Sequence, residues 1–440
     1  MSVSLTQKQT SSSVRYLYSF LLYLAMPYLF LRMLWRSYGV GQRAYRLRLG
    51  ERLGFYPFKL QKSIWVHSVS VGETIAAIPL IKRLLETYPD LPMVVTTMTP
   101  TGAARVNAAF GDRVIHAYLP YDFRDAVSRF FSAVNPTFGI IMETELWPNL
   151  LAVSRKREIP IYLMNARLSA RSQKGYARIA SLTREMLRGI TMIAAHGEKD
   201  AERFIALGAD KDKVIVTGNL KFDLELPGNL MQESAALRKK LGDERFIWVA
   251  ASTHEGEEEM MLAAHRQVLA VNPDALLILV PRHPERFKAV AALIETKPFA
   301  MAKRSDLVFA KNASLYLCDT MGELLLMYAV ADVAFIGGSL VARGGHNMIE
   351  AAALAKPIVI GPSYFNFSEM SDTLFHANGM QKITDEKTLA AFLIELMHDP
   401  AQRQQMGVRA ADVVKANKGA LDRQLALISI VGGLRRNKRI

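Results

Sequence analysis

The sequence predicts an α/β protein of two domains, each built on a parallel sheet that helices cover on both faces. Short apolar runs alternate along the chain with longer amphipathic stretches. Strands that are apolar throughout indicate a sheet buried on both sides, and strands separated by helices indicate parallel order. A polar stretch at 226–234 separates two such series. We therefore expect two similar halves, with a ligand cleft between them at the carboxyl ends of the strands.

The first series contains seven predicted strands, and the second contains five. In the first half they lie at 64–71, 93–98, 114–119, 138–143, 161–166, 192–196 and 214–218. In the second half they lie at 246–251, 276–281, 315–319, 333–338 and 357–361. An amphipathic helix is predicted at 73–88, and long helical patterns run from residue 386 to the final helices.

Length and composition exclude several classes of protein. A chain of 440 residues, half of them hydrophobic and 22% charged, can form two cores and is not typical of disorder. The single cysteine, Cys318, excludes an internal disulfide and a zinc site built from cysteines. The formal net charge of +14 favours an anionic partner, which is a nucleic acid, a membrane surface or a phosphorylated substrate.

An uncharged run at 16–31 predicts a membrane anchor near the amino terminus. It is slightly shorter than the about 20 apolar residues of a full span. The chain from there to residue 59 carries one acid, Glu51, and seven bases: Arg32, Arg36, Arg43, Arg46, Arg48, Arg52 and Lys59. The positive-inside rule then places the rest of the chain in the cytoplasm. A buried first helix is the alternative, and an anchor that spans the bilayer or lies in one leaflet fits the run equally.

Polar residues cluster where predicted strands end and helices begin. These junctions read HSVSVGET at 67–74, AASTHEGEE at 250–258, CDTMGEL at 318–324 and GGSLVARGGHNMIEAA at 337–352. Each contains a glutamate three residues after Ser, Thr or Asn, which is the spacing of a helix capping box. Each also lies where a phosphate can bind an exposed helix N-terminus. Both interpretations remain open, with Glu73 a candidate general base and Glu350 a candidate nucleotide ligand.

Several common site motifs are absent from the sequence. It has no GxGxxG after a strand, no GxxxxGK[ST] loop and no HExxH. The pair Asp210 and Asp212 lies in a lysine-flanked turn, so we interpret these carboxylates as solvated turn residues.

The motifs taken together resemble those of the Kdo transferases, which attach 3-deoxy-D-manno-octulosonic acid (Kdo) to the lipid A precursor of lipopolysaccharide. The motifs are HSVSVGE, METELWPN, NARLSARS, GNLKFD, STHEGEE, LVPRHPERF, CDTMGEL and GGSLVARGGHN. The resemblance covers nearly the whole chain; one departure is Cys318, where a glycine is common. It implies a two-domain GT-B fold, CMP-Kdo as donor, lipid IVA as acceptor and inverting transfer without a metal or other cofactor. The resemblance also implies that the enzyme acts at the anionic, cytoplasmic face of the bacterial inner membrane.

The resemblance implies a role for particular residues and domains. Glu73 matches the proton acceptor, and Glu143 and Lys221 match residues that stabilise the transition state. The CMP site matches Pro281, Arg282, Met321, Gly322, Glu323, Asn347, Met348, Ile349 and Glu350. We place the anchor and its basic flank at 1–36, the acceptor-binding domain at 37–225, the nucleotide-sugar-binding domain at 226–425 and a basic tail at 426–440.

Two other functions are compatible with parts of the sequence. A nucleotide-sugar epimerase or a transferase that uses a UDP sugar would share the fold and the glycine-rich junctions. A membrane-tethered nucleic-acid-binding protein would fit the charge, but it predicts basic and aromatic residues interleaved on one face, which the sequence lacks. We therefore expect no nucleic-acid partner.

Overall fold

The chain folds into two compact α/β units, as predicted. The structure, a computed structural model, describes residues 3–28, 31, 35, 48–306 and 312–436, with the backbone alone for 3–12 and 429–436. The first unit comprises the described residues up to Asp223 and those from Lys418 onward, and the second comprises Leu224–Asn417. Each unit has one seven-stranded sheet and its own hydrophobic core.

The sheet of the first unit is parallel throughout, in the order β3-β2-β1-β4-β5-β6-β7. Its strands are β1 (Ser63–His67), β2 (Met93–Thr97), β3 (Ile115–Tyr118), β4 (Pro136–Met142), β5 (Ile161–Ala166), β6 (Met192–Ala195) and β7 (Val214–Val216). The helices are α1 (Val3–Leu24), α2 (Leu49–Arg52), α3 (Val71–Thr87), α4 (Pro100–Phe110), α5 (Arg124–Val134), α6 (Pro148–Lys156), α7 (Ala170–Arg178), α8 (Ala180–Arg188) and α9 (Glu198–Ala206). All seven predicted strands of this half are present. Strands β1, β2 and β5 are buried along their whole length, since both faces of the sheet are covered.

The second unit repeats this architecture with the strand order β10-β11-β9-β8-β12-β13-β14, again all parallel. Its strands are β8 (Ile247–Thr253), β9 (Leu276–Pro281), β10 (Met301–Lys303), β11 (Leu315–Leu317), β12 (Val333–Ile336), β13 (Ile358–Ile360) and β14 (Met380–Lys382). Its helices are α10 (Leu230–Leu241), α11 (Glu257–Val271), α12 (Phe287–Glu295), α13 (Leu324–Val330), α14 (Ile349–Ala353), α15 (Ser368–His376), α16 (Glu386–His398) and α17 (Pro400–Asn417). The five predicted strands are present. The edge strands β10 and β14 were not predicted, because three residues ending in lysine form no apolar run.

The last helix, α18 (Ala420–Arg436), returns to the first unit. The Asp223 carboxylate accepts hydrogen bonds from the backbone N–H groups of Gly419 (2.6 Å) and Leu421 (2.5 Å). The buried Gln424 side chain accepts a hydrogen bond from the backbone N–H of Asn165 at 3.1 Å. The predicted second domain ran to residue 425, whereas these contacts hold the chain from Lys418 onward on the first unit. Most of the predicted 226–234 linker is the start of α10.

The strand order of each sheet reverses once. In the first unit the chain moves outward from β1 through β2 and β3, then returns to place β4 on the other side of β1. In the second unit the same reversal places β12 beside β8. The loops after two such neighbouring strands diverge and leave a crevice outside the carboxyl edge of the sheet, where ligands of open α/β folds bind. The topology therefore points to the loops after β1 and β4, and after β8 and β12.

The amino-terminal helix α1 packs on the first unit against α6 and α8. Among the residues that the structure describes, no helix is both long and apolar enough to cross a bilayer. Residues 1–2, 29–30, 32–34 and 36 of the predicted anchor and its flank, 37–47 of the predicted acceptor-binding domain, and 437–440 of the predicted basic tail lie outside the described residues.

Candidate active site

Glu73 lies in the first turn of α3, directly after the loop that follows β1. Ser70 is the N-cap of this helix, and its hydroxyl accepts a hydrogen bond from the Glu73 N–H at 3.4 Å. The Ser70 hydroxyl also donates to Oε1 of Glu73 (2.9 Å), and the Val69 N–H donates to Oε2 (2.7 Å). This arrangement is close to a capping box, but the carboxylate binds the N–H before the N-cap. The side chain remains partly exposed.

The surroundings of Glu73 favour its protonated form. The pKa of Glu73 is raised to about 7, mainly by burial and also by the nearby carboxylates of Glu143 and Glu145, while the hydrogen bonds from Val69 and Ser70 lower it. A carboxyl group with a pKa near 7 both exists as the carboxylate and accepts a proton readily at neutral pH. Glu73 therefore has the properties of a general base.

Glu143 follows β4, the neighbour of β1, and has an unusual backbone. Its φ of +56° lies in the left-handed region, where a residue with a side chain is uncommon. The backbone remains tied to the sheet, because the Glu143 N–H donates to the Met164 carbonyl at 2.9 Å. Such a conformation is typical of functional sites. It places the Glu143 carboxylate, which is about one quarter exposed, at the carboxyl edge of the sheet.

Lys221 is held beside Glu143 by the segment that follows β7. Its Nζ lies 4.0 Å from Oε1 of Glu143, and both side chains are about one quarter exposed. The lysine sits in a short 3-10 turn, Leu220–Phe222, that Asn219 caps and that Asn165 holds through a 2.9 Å hydrogen bond from the Leu220 N–H. The structure thus brings Glu73, Glu143 and Lys221 to one edge of one sheet.

In the second unit, Glu350 lies at the start of α14, in the loop region after β12. Burial raises the pKa of Glu350, while the positive charge of Arg282 and a hydrogen bond with the Asn347 side chain lower it. Asn347 also accepts a hydrogen bond from the Ile349 N–H at 3.1 Å. Met348 and Ile349 are fully buried. Arg282 directly follows Pro281, the last residue of β9, and its side chain is exposed.

The segment Met321–Glu323 precedes α13 and is partly open to solvent. Met321 is 60% exposed, and Gly322 has a φ of +84° with open space where a side chain would be. Glu323 is paired with Arg304, whose Nη2 lies 2.6 Å from Oε1, and it also accepts a hydrogen bond from the Thr320 hydroxyl. These contacts hold the pKa of Glu323 below its usual value. Glu323 is therefore ionised and positioned by Arg304.

Comparison with known proteins identifies the family of this chain. A family model for the 3-deoxy-D-manno-octulosonic-acid transferases matches residues 47–224. A 3-deoxy-D-manno-octulosonic acid transferase of Haemophilus influenzae is 41% identical over 94% of this chain and 98% of its own. The chain belongs to the Kdo transferase family. It is therefore a glycosyltransferase, as its sequence motifs predicted. Another Kdo transferase, from Bordetella pertussis, is 37% identical over 86% of this chain and 89% of its own.

The fold of this Kdo transferase is shared with proteins of much lower sequence identity. A UDP-GlcNAc 2-epimerase from Neisseria meningitidis bound to UDP-GlcNAc has a TM-score of 0.55 and 14% identity, over 86% of this chain and all of its own. A protein from Anabaena in complex with UDP also has a TM-score of 0.55, at 13% identity over 84% of this chain. These likenesses agree with the predicted GT-B type of fold.

Sequence reasoning gave no functional role to several charged or titratable residues at the edge of the first sheet. Glu145 and Arg167 lie in the loops after β4 and β5, and His196 directly follows β6. Burial and the charges of Lys221 and Arg167 lower the pKa of His196 to about 3, so the ring is neutral. Burial raises the pKa of Glu145, whose carboxylate accepts a hydrogen bond from Trp147 at 2.7 Å. Their position directly after strands was a signal that the sequence contained.

A second group of side chains, to which sequence reasoning gave no common site, lies in the other unit. The Nε2 atoms of His254 and His346 are 2.8 Å apart, and the His283 ring lies 5.6 Å from that of His254. Burial, together with the charge of Arg282, lowers the pKa of His346 to about 4. The three histidines thus lie close to one another in the loops after β8, β9 and β12, and His346 lies near Arg282.

The buried Glu257 organises the loops of this crevice. Its carboxylate accepts hydrogen bonds from four backbone N–H groups, those of His254 (3.0 Å), Gly338 (2.7 Å), Ser339 (3.0 Å) and Leu340 (3.0 Å). Glu257, rather than Glu255, is therefore the structural carboxylate of the STHEGEE motif. Ser252 belongs to β8, so the predicted capping spacing of Ser252 and Glu255 does not form a cap.

The interpretation of the Asp210 pair as turn residues is confirmed. The Asp210 carboxylate accepts a hydrogen bond from the Asp212 N–H at 3.2 Å and caps the 3-10 turn Lys211–Lys213. Within the described part of the chain, no group of three or more His, Cys, Asp or Glu side chains is arranged to hold a metal ion.

Proposed function

We propose that this Kdo transferase moves Kdo from CMP-Kdo to lipid IVA, the lipid A precursor, in lipopolysaccharide synthesis. The transfer is inverting and needs no metal, and Glu73 is the general base. The names of the relatives support the sugar, and the match of the junction motifs to the family supports the donor and the acceptor. We also propose that the enzyme works at the cytoplasmic face of the inner membrane, where its amino-terminal segment holds it.

The observation that supports this proposal most directly is the environment of the Glu73 carboxylate, in the loop region after β1 where the strand order of the first sheet reverses. Its carboxylate is oriented by Val69 and Ser70, is partly exposed and has a pKa of about 7. A hydroxyl of the acceptor is a weak nucleophile and requires a positioned base to remove its proton as it attacks. The arrangement supplies that base on the unit that carries the amino-terminal helix.

The mechanism is a single displacement. Glu73 takes the proton of the acceptor hydroxyl while the oxygen forms a bond to the anomeric carbon of Kdo. The bond from that carbon to the phosphate oxygen breaks on the opposite face, and its electron pair leaves with CMP. In this proposal Lys221 offsets the negative charge that develops on the phosphate, and Glu143 orients Lys221 through their 4.0 Å contact. Arg282, Asn347 and Glu350, with Pro281, Met348, Ile349 and Met321–Glu323, form the nucleotide site in this proposal.

A product assay tests the reaction. The protein is incubated with CMP-Kdo and detergent-solubilised tetraacylated lipid IVA, and the lipid is weighed by mass spectrometry. We expect the mass of one or more Kdo residues to be added, with release of CMP. Transfer from a UDP sugar but not from CMP-Kdo would contradict the proposed donor.

The pH dependence of transfer should report the pKa of Glu73. The base acts as the carboxylate, so we expect kcat/KM to rise with pH up to about 7 and to fall roughly tenfold per pH unit below it. Glu143→Gln removes a charge that raises the pKa of Glu73, so it should move the acid limb to lower pH whatever its effect on the maximal rate. A profile that is flat from pH 5 to pH 8 would contradict the assignment.

The reaction should tolerate chelators. Incubation with excess EDTA, followed by removal of the chelate, should leave kcat unchanged, because the proposed charge stabilisation comes from Lys221 and Arg282. The measurement is transfer with and without EDTA, with added magnesium as the control. Loss of transfer that magnesium restores would refute the metal-free mechanism.

A further inference from the structure

Helix α1 turns polar side chains toward the first unit and apolar side chains toward solvent. In a helix that covers the core of a soluble protein, these two faces are reversed. The side of α1 that faces the first unit makes polar contacts. Nε of Arg15 lies 3.0 Å from Oε1 of the buried Glu185, and the Ser19 hydroxyl donates to Oδ1 of Asn149 at 3.0 Å. The Tyr18 hydroxyl bonds the buried Asp122. The helix is therefore docked through charge and hydrogen bonds along about one turn, at residues 15–19.

The opposite side of α1 is apolar and open. The exposed side chains are Tyr16 (54%), Leu17 (57%), Phe20 (65%), Leu21 (53%) and Leu24 (69%). Positions separated by one, three and four residues form one stripe on a helix. A contiguous apolar surface of this kind marks an interaction site, because isolated exposed apolar residues are normal but large patches are not.

Two cationic cavities lie beside this stripe. A cavity of about 480 Å³ is lined by Arg15 and Arg124, and one of about 450 Å³ by Lys59, Arg129 and Arg157; Ser128 contributes to both. Asp125 is the one acid among their lining residues. Arg15 is paired with Glu185, and Arg129 lies 2.7 Å from the Asp125 carboxylate. The surface therefore combines an apolar stripe with three further cations, Lys59, Arg124 and Arg157, and this combination suits contact with a bilayer that has anionic headgroups.

Phe55 supports the same assignment. It is 59% exposed in the wall of the second cavity, and the guanidinium of Arg129 lies 4.5 Å from the centre of its ring. An aromatic ring beside a cation is the combination that side chains adopt at the interface between headgroups and acyl chains.

We propose that α1 lies in the plane of the membrane, with its apolar stripe in one leaflet and lipid phosphates in the two cationic cavities. A helix that spans the bilayer must leave the contacts of Arg15, Tyr18 and Ser19 with the first unit, because lipid would surround it. An in-plane helix keeps all of them and brings the unit that carries Glu73 to the membrane surface. The inference rests on the proposed membrane location.

A second copy of the chain is a poorer occupant of this surface. Paired copies related by a two-fold axis present the same patch to one another. Such a pair would bring the cationic rims of both copies together, and like charges in an interface oppose association.

Vesicle sedimentation tests the surface. We expect the full chain to bind vesicles of phosphatidylglycerol and phosphatidylethanolamine, more weakly at high salt and more weakly still to phosphatidylcholine alone. The double variant Leu17→Glu with Phe20→Glu should lose binding by at least about 100-fold, since two charges replace exposed apolar side chains that enter the leaflet in this proposal. The matched control Met231→Glu with Val408→Glu, on exposed apolar residues of the second unit, should bind like the wild type.

A separate variant tests the contribution of the cationic cavities to vesicle binding. Arg124→Glu should weaken binding to anionic vesicles by at least about fivefold, because each basic residue near such a surface contributes roughly that factor. Arg409→Glu on an exposed face of the second unit is its control. Equal effects of the two variants would overturn the assignment of the cavities.

Cysteine labelling distinguishes the two orientations. In a Cys318→Ser background, Ser11→Cys precedes the apolar run and Lys62→Cys follows it. On sealed vesicles with protein added from outside, an impermeant maleimide should label both cysteines if α1 lies in one leaflet. Labelling at residue 62 with protection at residue 11 would show a spanning helix and overturn the proposal.

Two further outcomes distinguish the membrane from a second copy of the chain, and the membrane proposal from the proposed reaction. A wild-type dimer in solution that Leu17→Glu with Phe20→Glu dissociates, without vesicle binding, would assign the stripe to a second copy instead. Transfer to lipid IVA in detergent separates the two proposals. If that transfer proceeds but vesicles are not bound, the membrane surface is wrong and the proposed reaction stands.

Discussion

Replacing Glu73 with glutamine should lower kcat for Kdo transfer by about 10²–10⁴-fold, the usual contribution of a general base. Glutamine keeps the size of the side chain and accepts the hydrogen bond of the Val69 N–H, but its amide cannot take the proton of the acceptor. The measurement is the steady-state rate with detergent-solubilised acceptor. Calorimetry should show that the Kd for CMP-Kdo is unchanged, because Glu73 is not among the proposed nucleotide ligands.

The same variant should be at least as stable as the wild type at pH 8. The pKa of Glu73 is about 7 in the folded protein against 4.5 for an ordinary glutamate, so between these values the native state binds more protons than the unfolded state. Stability from this group is full below about pH 4.5 and is lost as the pH rises to about 7. Glutamine removes that loss, so we expect a gain of up to about 2 kcal/mol in the free energy of unfolding, after allowance for a weaker hydrogen bond.

A matched control separates the base from a general effect of charge. Glu86→Gln changes an exposed carboxylate at the other end of α3 and should leave both rate and stability as they are. Turnover of Glu73→Gln at the wild-type rate would remove Glu73 as the base. A large loss of stability at pH 8 would instead mean that the carboxylate has a structural role.

Replacing Glu257 with alanine should destabilise the second unit by at least about 3 kcal/mol. The side chain is fully buried, and the change leaves four backbone N–H groups without their acceptor, each of which costs about 1–3 kcal/mol when unsatisfied. Three of these groups are consecutive, at 338–340, so the loop after β12 should open. Urea unfolding measures the stability, and hydrogen exchange of the 338–340 amides measures the opening.

The effect on the nucleotide follows from the same contacts. The loop that Glu257 holds leads to His346, Asn347 and Glu350, so affinity for CMP should fall even where the variant is folded. Glu259→Ala, on an exposed position of the same helix, is the control and should change neither quantity by more than about 0.5 kcal/mol. Fast exchange of the 338–340 amides in the wild type would contradict this account.

Much of the fold could be predicted because the pattern that specifies it is local. A strand buried on both faces is apolar along most of its length, as in IWV (64–66) of β1 and LLILVP of β9. The edge strands β10 and β14 escape this rule, since an edge strand needs no continuous apolar run. The return of α18 to the first unit also escaped, because it depends on Asp223 and Gln424 contacting residues almost 200 positions or more away in the chain.

The candidate site was predictable to the level of its loops. In a parallel sheet every strand–helix junction lies at the same edge, so polar residues at successive junctions were expected to meet. The side-chain partners could not be predicted. Thr320 and Glu323 have capping spacing, yet Glu323 pairs with Arg304, while the four N–H groups of the β8 and β12 loops go to Glu257.

The sequence alone determined the order of strands and helices, the set of junctions that carry the polar residues and the family to which the motifs point. Tertiary structure alone decided that Glu73 has a pKa near 7 and that α1 turns its apolar stripe outward. The physical reason is the distance along the chain over which each interaction acts. Hydrophobic periodicity acts over a few neighbours in the chain. The free energy of a buried carboxylate, or of a polar face docked on Asp122 and Glu185, depends on charges and surfaces that only the strand order brings together.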